Sequence, residues 1–88
     1  FEMIKSESMI LEIKIEQNIL EMYSNKNYDF NKFIKEYKLN EEQNAYFHFN
    51  VWKYKNNKNS KDFANKTYTN LRKMTPKHIY SYFLDKLN

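Results

Sequence analysis

Residues 40–55 read NEEQNAYFHFNVWKYK, and this stretch decides the fold. Asn40 and Gln43 have the spacing of a capping box, in which each side chain accepts from the other residue's backbone N–H at a helix N-terminus. At 100° per residue, the helix that follows has two roughly opposite apolar faces. One comprises Ala45, Phe49 and Trp52, and the other comprises Phe47, Val51 and Tyr54. A helix with two apolar faces needs neighbours on both sides, so we expect it to be the centre of a helical bundle.

Four further helices are predicted around this central one. Apolar residues recur at helical spacing on both sides of it, and polar segments separate the resulting stretches. We expect Ser60 to cap the fourth helix, and Thr75 followed by Pro76 is typical of a helix start. Residues 9–15 also alternate partly, as a strand would, but the length of the segment and its Glu and Lys content favour a helix. The predicted fold class is all-α, a small bundle of about five helices around a central aromatic helix, spanning approximately residues 2–23, 28–38, 41–55, 61–73 and 76–87.

Composition limits the size and class of the protein. The 88 residues suit a single helical domain, residues 1–88, which could itself be a piece of a longer chain. The absence of cysteine excludes disulfides, and the absence of glycine argues against tight hairpins and phosphate-binding loops. No apolar run is long enough to span a bilayer and no signal peptide is evident, so we expect a cytoplasmic protein without a membrane partner. The residues predicted for the core are Leu11, Ile15, Phe33, Phe49, Trp52, Phe63, Leu71, Ile79 and Phe83.

Charge is unevenly distributed along the chain. Residues 1–44 carry six lysines and nine acidic residues, a net charge of −3, whereas residues 45–88 carry nine cations and two acidic residues, a net charge of +7. Such a split indicates an anionic partner for the basic half. Codon bias offers a second explanation, because 14 Lys and 13 Asn in 88 residues are typical of an AT-rich genome, such as that of a low-GC bacterium, a plasmid, a phage or some protozoan parasites.

The sequence contains no pattern typical of an enzyme. His48 and His78 are far apart and have no neighbouring acids at metal-ligand spacing. Adjacent Glu41 and Glu42 diverge on a helix and cannot act as a paired acid and base. We expect His48 to lie at the edge of an apolar face, partly buried and hydrogen-bonded. We therefore predict no enzymatic activity, no catalytic residue, no metal or cofactor and no small-molecule substrate.

The C-terminal helix pair resembles helix–turn–helix DNA-binding domains over residues 63–87. Ala64 occupies a small-residue position in the leading helix, Met74 lies in the turn, and Ile79 packs from the following helix. The resemblance implies that the last helix contacts nucleic acid. Four residues would face the groove, namely Lys77, His78, Ser81 and Tyr82. The cations expected to contact phosphates are Lys58, Lys61, Lys66, Arg72 and Lys73.

Two functions remain open from the sequence. The first is a small, basic DNA-binding or regulatory domain that uses its C-terminal helix pair. The alternative is a protein–protein interaction or structural helical module, such as an effector or accessory protein, with no nucleic-acid role. The broad apolar stripe of residues 2–23 could bind a second copy of the chain or a partner helix, or it could lie across the core of its own domain.

Overall fold

The computed structural model describes residues 7–25, 27–56 and 61–87, apart from the side chain of Phe63. All regular secondary structure in these residues is helical, which confirms the all-α class. The five helices are α1 (Glu7–Ser24), α2 (Phe30–Tyr37), α3 (Glu41–Asn56), α4 (Lys61–Leu71) and α5 (Pro76–Leu87). The predicted start of the first helix at residue 2, the Ser60 cap, the phosphate-contacting role of Lys58 and the core position of Phe63 lie outside the described residues.

Local capping fixes where the central helix begins. The Asn40 side chain accepts from the backbone N–H of Gln43 at 2.8 Å, and the Gln43 side chain accepts from the backbone N–H of Asn40 at 3.1 Å. These reciprocal bonds are the capping box that the sequence predicts. At the start of α5, the Thr75 hydroxyl accepts from the backbone N–H of His78 at 3.4 Å. Both helix starts are therefore set by side chains within four residues of the boundary.

The second helix is shorter than the predicted 28–38. Asp29 caps it, because its side chain accepts from the backbone N–H of Lys32 at 3.1 Å. It ends at Tyr37 because Lys38 has a left-handed conformation with φ of 54°, which reverses the chain toward α3. The N–H of Leu39 then donates to the carbonyl of Ile34 at 3.2 Å. A non-glycine residue in this conformation loses about 1 kcal/mol of stability relative to glycine, and the chain contains no glycine.

The fourth helix also ends before its predicted boundary. It stops at Leu71 rather than at residue 73. The reason is that the N–H groups of Lys73 and Met74 bond to the carbonyls of Asn70 and Leu71, three residues back, at 3.2 and 3.0 Å. This tight turn replaces the α-helical pattern and leads directly into α5.

The central helix organises the packing, as its two apolar faces predict. α1 and α5 pack along α3, α4 also packs mainly against α3, and the contact between α4 and α5 is slight. Seven of the nine residues predicted for the core are buried. They are Ile15, Phe33, Phe49, Trp52, Leu71, Ile79 and Phe83.

Two apolar residues expected to face neighbours are exposed instead. Leu11, predicted for the core, is 46% exposed, and Tyr54, predicted for the second apolar face of the central helix, is 77% exposed. Leu11 continues the stripe of Ile15 and Ile19, but it lies in the turns of α1 that precede the buried contacts of this helix. Tyr54 lies near the end of α3, beyond its last buried residue, Trp52. Both residues fit the helical spacing of an apolar face, but no helix of the described residues covers them fully.

Candidate nucleic-acid interface

The first two turns of α5 carry three of the four residues predicted to face a groove. Lys77, His78 and Ser81 are all exposed on the outer side of this helix. The imidazole of His78 lies against the N-cap, with its Nδ1 3.0 Å from the hydroxyl oxygen of Thr75. Asp85, one turn beyond Ser81, is also exposed and places a negative charge farther along the same side. The hydrogen-bonding and basic side chains on the outer side of α5 therefore lie in its N-terminal half.

Tyr82, the fourth residue predicted to face a groove, has a different environment. Its side chain is only partly exposed. Its ring packs edge-on against Phe83 with ring centroids 5.2 Å apart, and the Lys86 ammonium lies 5.4 Å from the ring centroid. These contacts hold Tyr82 at the rim of the core, where it is less accessible than Lys77, His78 and Ser81.

Arg72 has a carboxylate partner that the sequence did not reveal. Its Nε lies 3.7 Å from an oxygen of Glu42, at the start of α3, and its guanidinium lies over the Tyr68 ring at 5.8 Å. Both members of the ion pair are largely exposed, so the pair contributes at most about 1 kcal/mol. A phosphate could therefore replace Glu42 as the partner of Arg72.

The remaining predicted phosphate contacts that the structure describes are open to solvent. Lys61 and Lys66 lie on the exposed side of α4, and Lys73 lies in the turn before α5. Among the described residues, Arg72 is the only one of the predicted phosphate-contacting cations with a carboxylate within ion-pair distance. Exposed lysines without a carboxylate partner are accessible to an external anion such as a phosphate.

A further cation lies near the start of α5 and was not among the predicted contacts. A shallow cleft of about 470 Å³ separates α2 from the start of α5, and both Lys35 and Lys77 line it. The other lining residues are Phe30, Asn31, Ile34, Thr75 and Pro76. Lys35 is forty-odd positions away in the chain, so no local pattern indicates this proximity. The tertiary fold thus adds one lysine of the acidic half to the basic surface.

A buried polar cluster attaches the central helix to its neighbours. His48 is completely buried, which corrects the expectation of partial burial at the edge of a face. Its Nδ1 shares a hydrogen bond with the hydroxyl of Tyr23 in α1, and its ring stacks on Phe83 in α5 at 6.1 Å. One helical turn earlier, the Asn44 amide donates to the carbonyl of Pro76 at 3.5 Å. These contacts position α5 against α3.

Burial governs the ionisation of this cluster. Desolvation lowers the pKa of His48 to about 3, so the imidazole is neutral at pH 7. Desolvation, together with the nearby Tyr80 hydroxyl, raises the pKa of Tyr23 well above its usual value. Within the described part of the chain, His48 Nε2 and Asn44 Oδ1 have no hydrogen-bond partner. The groups are closed to solvent, so the cluster acts in packing and offers no accessible reactive atom.

The described residues contain no group of three or more His, Cys, Asp or Glu side chains that could hold a metal ion. None of the helices in residues 7–25, 27–56 and 61–87 is long and apolar enough to cross a membrane.

Comparison with known proteins gives no relative: no protein-family model, no curated protein and no solved structure matches the chain. A functional interpretation therefore depends on the chemistry of the surface itself.

Proposed function

We propose that the chain is a small DNA-binding domain that contacts duplex DNA through α4, the turn after it and the N-terminal half of α5. The observation that carries the proposal is the exposure of the cations on these elements. Lys61, Lys66, Lys73 and Lys77 are exposed and have no carboxylate partner among the described residues. An unpaired cationic surface gains free energy at a phosphate backbone because it releases condensed counterions.

The charge balance of this region favours an anionic partner of this kind. Residues 61–87 carry six lysines and arginines against two acidic residues, Asp62 and Asp85. Lys35 adds a further cation, because it lines the same cleft between α2 and α5 as Lys77. Phosphate contacts by these side chains would position the domain on DNA without selecting a sequence.

Sequence preference would come from the start of α5. Lys77, His78 and Ser81 are hydrogen-bonding side chains of the kinds that reach base edges, and they lie on the exposed side of one helix. α3 would serve as the scaffold, because it contacts both α4 and α5 and carries the buried Asn44 and His48 that hold α5. The proposal requires no cofactor and no catalytic group, and it is compatible with the cytoplasmic location expected from the sequence.

Fluorescence anisotropy with a labelled duplex of mixed sequence, measured with the full chain, tests this proposal. With about five phosphate contacts, the affinity should fall about 10²–10³-fold between ~50 and ~200 mM salt. The double variant Lys73→Glu/Lys77→Glu should lose measurable binding while its helical circular dichroism stays unchanged.

A matched pair of single variants separates a specific surface from net charge. Lys77→Glu and Lys32→Glu change the charge equally, and both lysines are exposed, but Lys32 lies on α2 and does not line the cleft with Lys77. Lys77→Glu should weaken binding at least tenfold and Lys32→Glu less than twofold. Equal losses, or no binding of the parent chain at ~50 mM salt, would overturn the proposal and favour the alternative of a protein-interaction or structural module.

A further inference from the structure

The first helix has two halves with opposite environments. Every residue from Glu7 to Lys14 is exposed, whereas the following turns contain the buried contacts with the rest of the molecule. The exposed half is nevertheless apolar at several positions. Ile10 is 45%, Leu11 46% and Ile13 39% exposed. Large aliphatic side chains grouped on one exposed segment mark an interaction surface more often than scattered single ones do.

An apolar groove continues from this segment. It lies between α1 and α3 and has a volume of about 260 Å³. Its lining residues are Ile13, Glu16, Gln17, Leu20, Asn50, Val51 and Tyr54. A hydrogen bond from the Asn50 amide to the Glu16 carboxylate, 3.1 Å long, crosses between the two helices. Ile13 belongs both to the exposed half of α1 and to the groove. The exposed half of α1 and the groove therefore form one continuous surface.

We propose that this surface binds a second copy of the chain in a two-fold symmetric dimer. The two α1 helices would run antiparallel, and Ile10 and Ile13 of each copy, which lie on one side of the helix, would enter the groove of the other. A two-fold interface requires the same patch to present both a protrusion and the recess that receives it. In each protomer, the exposed half of α1 is the protrusion, and the adjoining groove between α1 and α3 is the recess.

The available apolar area is a large part of what a homodimer needs. From their exposed fractions, Ile10, Ile13 and Tyr54 supply roughly 300 Å² of apolar surface per copy. A standard interface buries about 800 Å² per partner, and in homodimers about 65% of this area is apolar. These three side chains alone therefore provide more than half of the apolar area that such an interface contains.

Charge favours an antiparallel orientation of the two α1 helices, but the net negative charge of each helix weakens the dimer at low salt. Lys14 is the only cation of α1. Antiparallel registers centred between Ile10 and Ile13 bring it opposite Glu7 or Glu12 of the second copy. The helix as a whole carries four glutamates, so two copies also repel one another. Added salt should consequently strengthen the dimer, whereas it weakens DNA binding, and the two proposals can fail separately.

Analytical ultracentrifugation of the full chain from ~5 to ~200 µM tests the dimer. The sedimenting mass should rise from monomer to dimer over this range, and the midpoint should move to lower concentration at higher salt. Ile10→Glu and Ile13→Glu should each shift the midpoint upward at least tenfold. The control Asn31→Glu changes an exposed residue of α2 and should leave the midpoint within twofold. A chain that stays monomeric throughout, or that forms open-ended oligomers, would overturn the proposal.

A second test does not depend on weakening the interface. The chain has no cysteine, so a single introduced thiol can cross-link only to its counterpart in another copy. Mild oxidation of Ile10→Cys, Leu11→Cys and Ile13→Cys should give a disulfide-linked dimer fastest for the residue nearest the two-fold axis. Asn31→Cys serves as the control. Equal cross-linking at all four positions would overturn the proposed surface even if the chain dimerises.

Discussion

Two helical segments of similar apolar character have opposite environments in this molecule. Residues 44–52 of α3 include seven buried residues, among them Trp52 and His48, whereas residues 7–14 of α1 are exposed throughout. The difference arises from neighbours rather than from composition. α3 has α1, α4 and α5 packed against it, while the first turns of α1 precede its buried contacts. An apolar stripe therefore indicates the direction of burial, and the surrounding elements decide whether burial occurs.

The largest expected difference lies between two aromatic residues of the same helix. Trp52 is buried and packs on Phe49 and Phe83, with ring centroids 6.0 Å away in each case. Trp52→Ala should lower the free energy of unfolding by ~3–5 kcal/mol, because it leaves a cavity in the centre of the core. Tyr54→Ala, two positions later but largely exposed, should change it by less than ~0.5 kcal/mol. Urea denaturation measures both, and similar losses would contradict the assigned core.

The second expected effect is a dependence of stability on pH that originates inside the core. Unfolded histidine has a pKa of 6.5, whereas burial lowers the pKa of His48 to about 3 in the folded chain. Between these values the unfolded chain binds more protons, so stability is fully present above pH 6.5 and falls as the pH decreases, by about 1.4 kcal/mol per pH unit. The titratable groups facing the imidazole are Tyr23 and Tyr80, the Phe30 and Phe83 rings complete its surroundings, and no described carboxylate contacts it.

The control for this pH dependence removes the titrating group together with its hydrogen-bond partner. In Tyr23→Phe/His48→Phe, neither ring leaves a polar atom unpaired, and the slope above pH 5 should disappear. Urea denaturation from about pH 7.5 to 5 measures it. A slope equal to that of the parent chain would show that exposed groups, rather than His48, cause the dependence.

A smaller effect is expected at the start of the central helix. Asn40→Ala removes one side chain of the capping box and leaves the Gln43 N–H without its partner, which should cost about 1 kcal/mol. Asn65→Ala, at an exposed position within α4, is the matched change and should be neutral or slightly stabilising. Thermal denaturation of the two variants gives the comparison, and equal melting temperatures would contradict the role of the cap.

The smallest effect is expected in the exposed half of α1. Leu11→Ala should change the free energy of unfolding by less than ~0.5 kcal/mol at micromolar protein concentration, since Leu11 is 46% exposed and the change removes little buried area. The same change at Ile15, which is buried one turn later, should cost ~2–5 kcal/mol. Parallel urea titrations compare the two, and a large loss at Leu11 would place this residue in the core after all.

Local features of the fold could be predicted because their causes lie within a few residues. The capping box of Asn40 and Gln43 and the Thr75-Pro76 start of α5 depend only on neighbouring backbone groups, and the structure has both. The stripe of Ile15 and Ile19 likewise follows from helical spacing and is buried. Proximity of distant segments could not be predicted, because no pattern in one segment reports on another.

Three details of the surface and core illustrate this limit. Each of them brings together segments that are distant in the sequence: Arg72 pairs with Glu42, Lys35 and Lys77 line one cleft, and His48 is completely buried beside Tyr23. The exposed cations of the basic half could be predicted from the sequence. The position of Lys35 near the start of α5 could not, because it depends on how α2 packs. The left-handed conformation of Lys38 could not be predicted either, since a lysine gives no signal for such a turn.

Hydrogen exchange of backbone amides tests the contrast between the two segments most directly. The full chain should be examined at low micromolar concentration, where few dimers would form. We predict that amides of residues 44–52 in α3 and 19–23 in α1 exchange slowest, close to the rate set by global unfolding, and that residues 10–14 exchange orders of magnitude faster. Equal protection of residues 10–14 and 19–23 in the monomer would contradict the account, because it would mean that the first turns of α1 are packed within the same core.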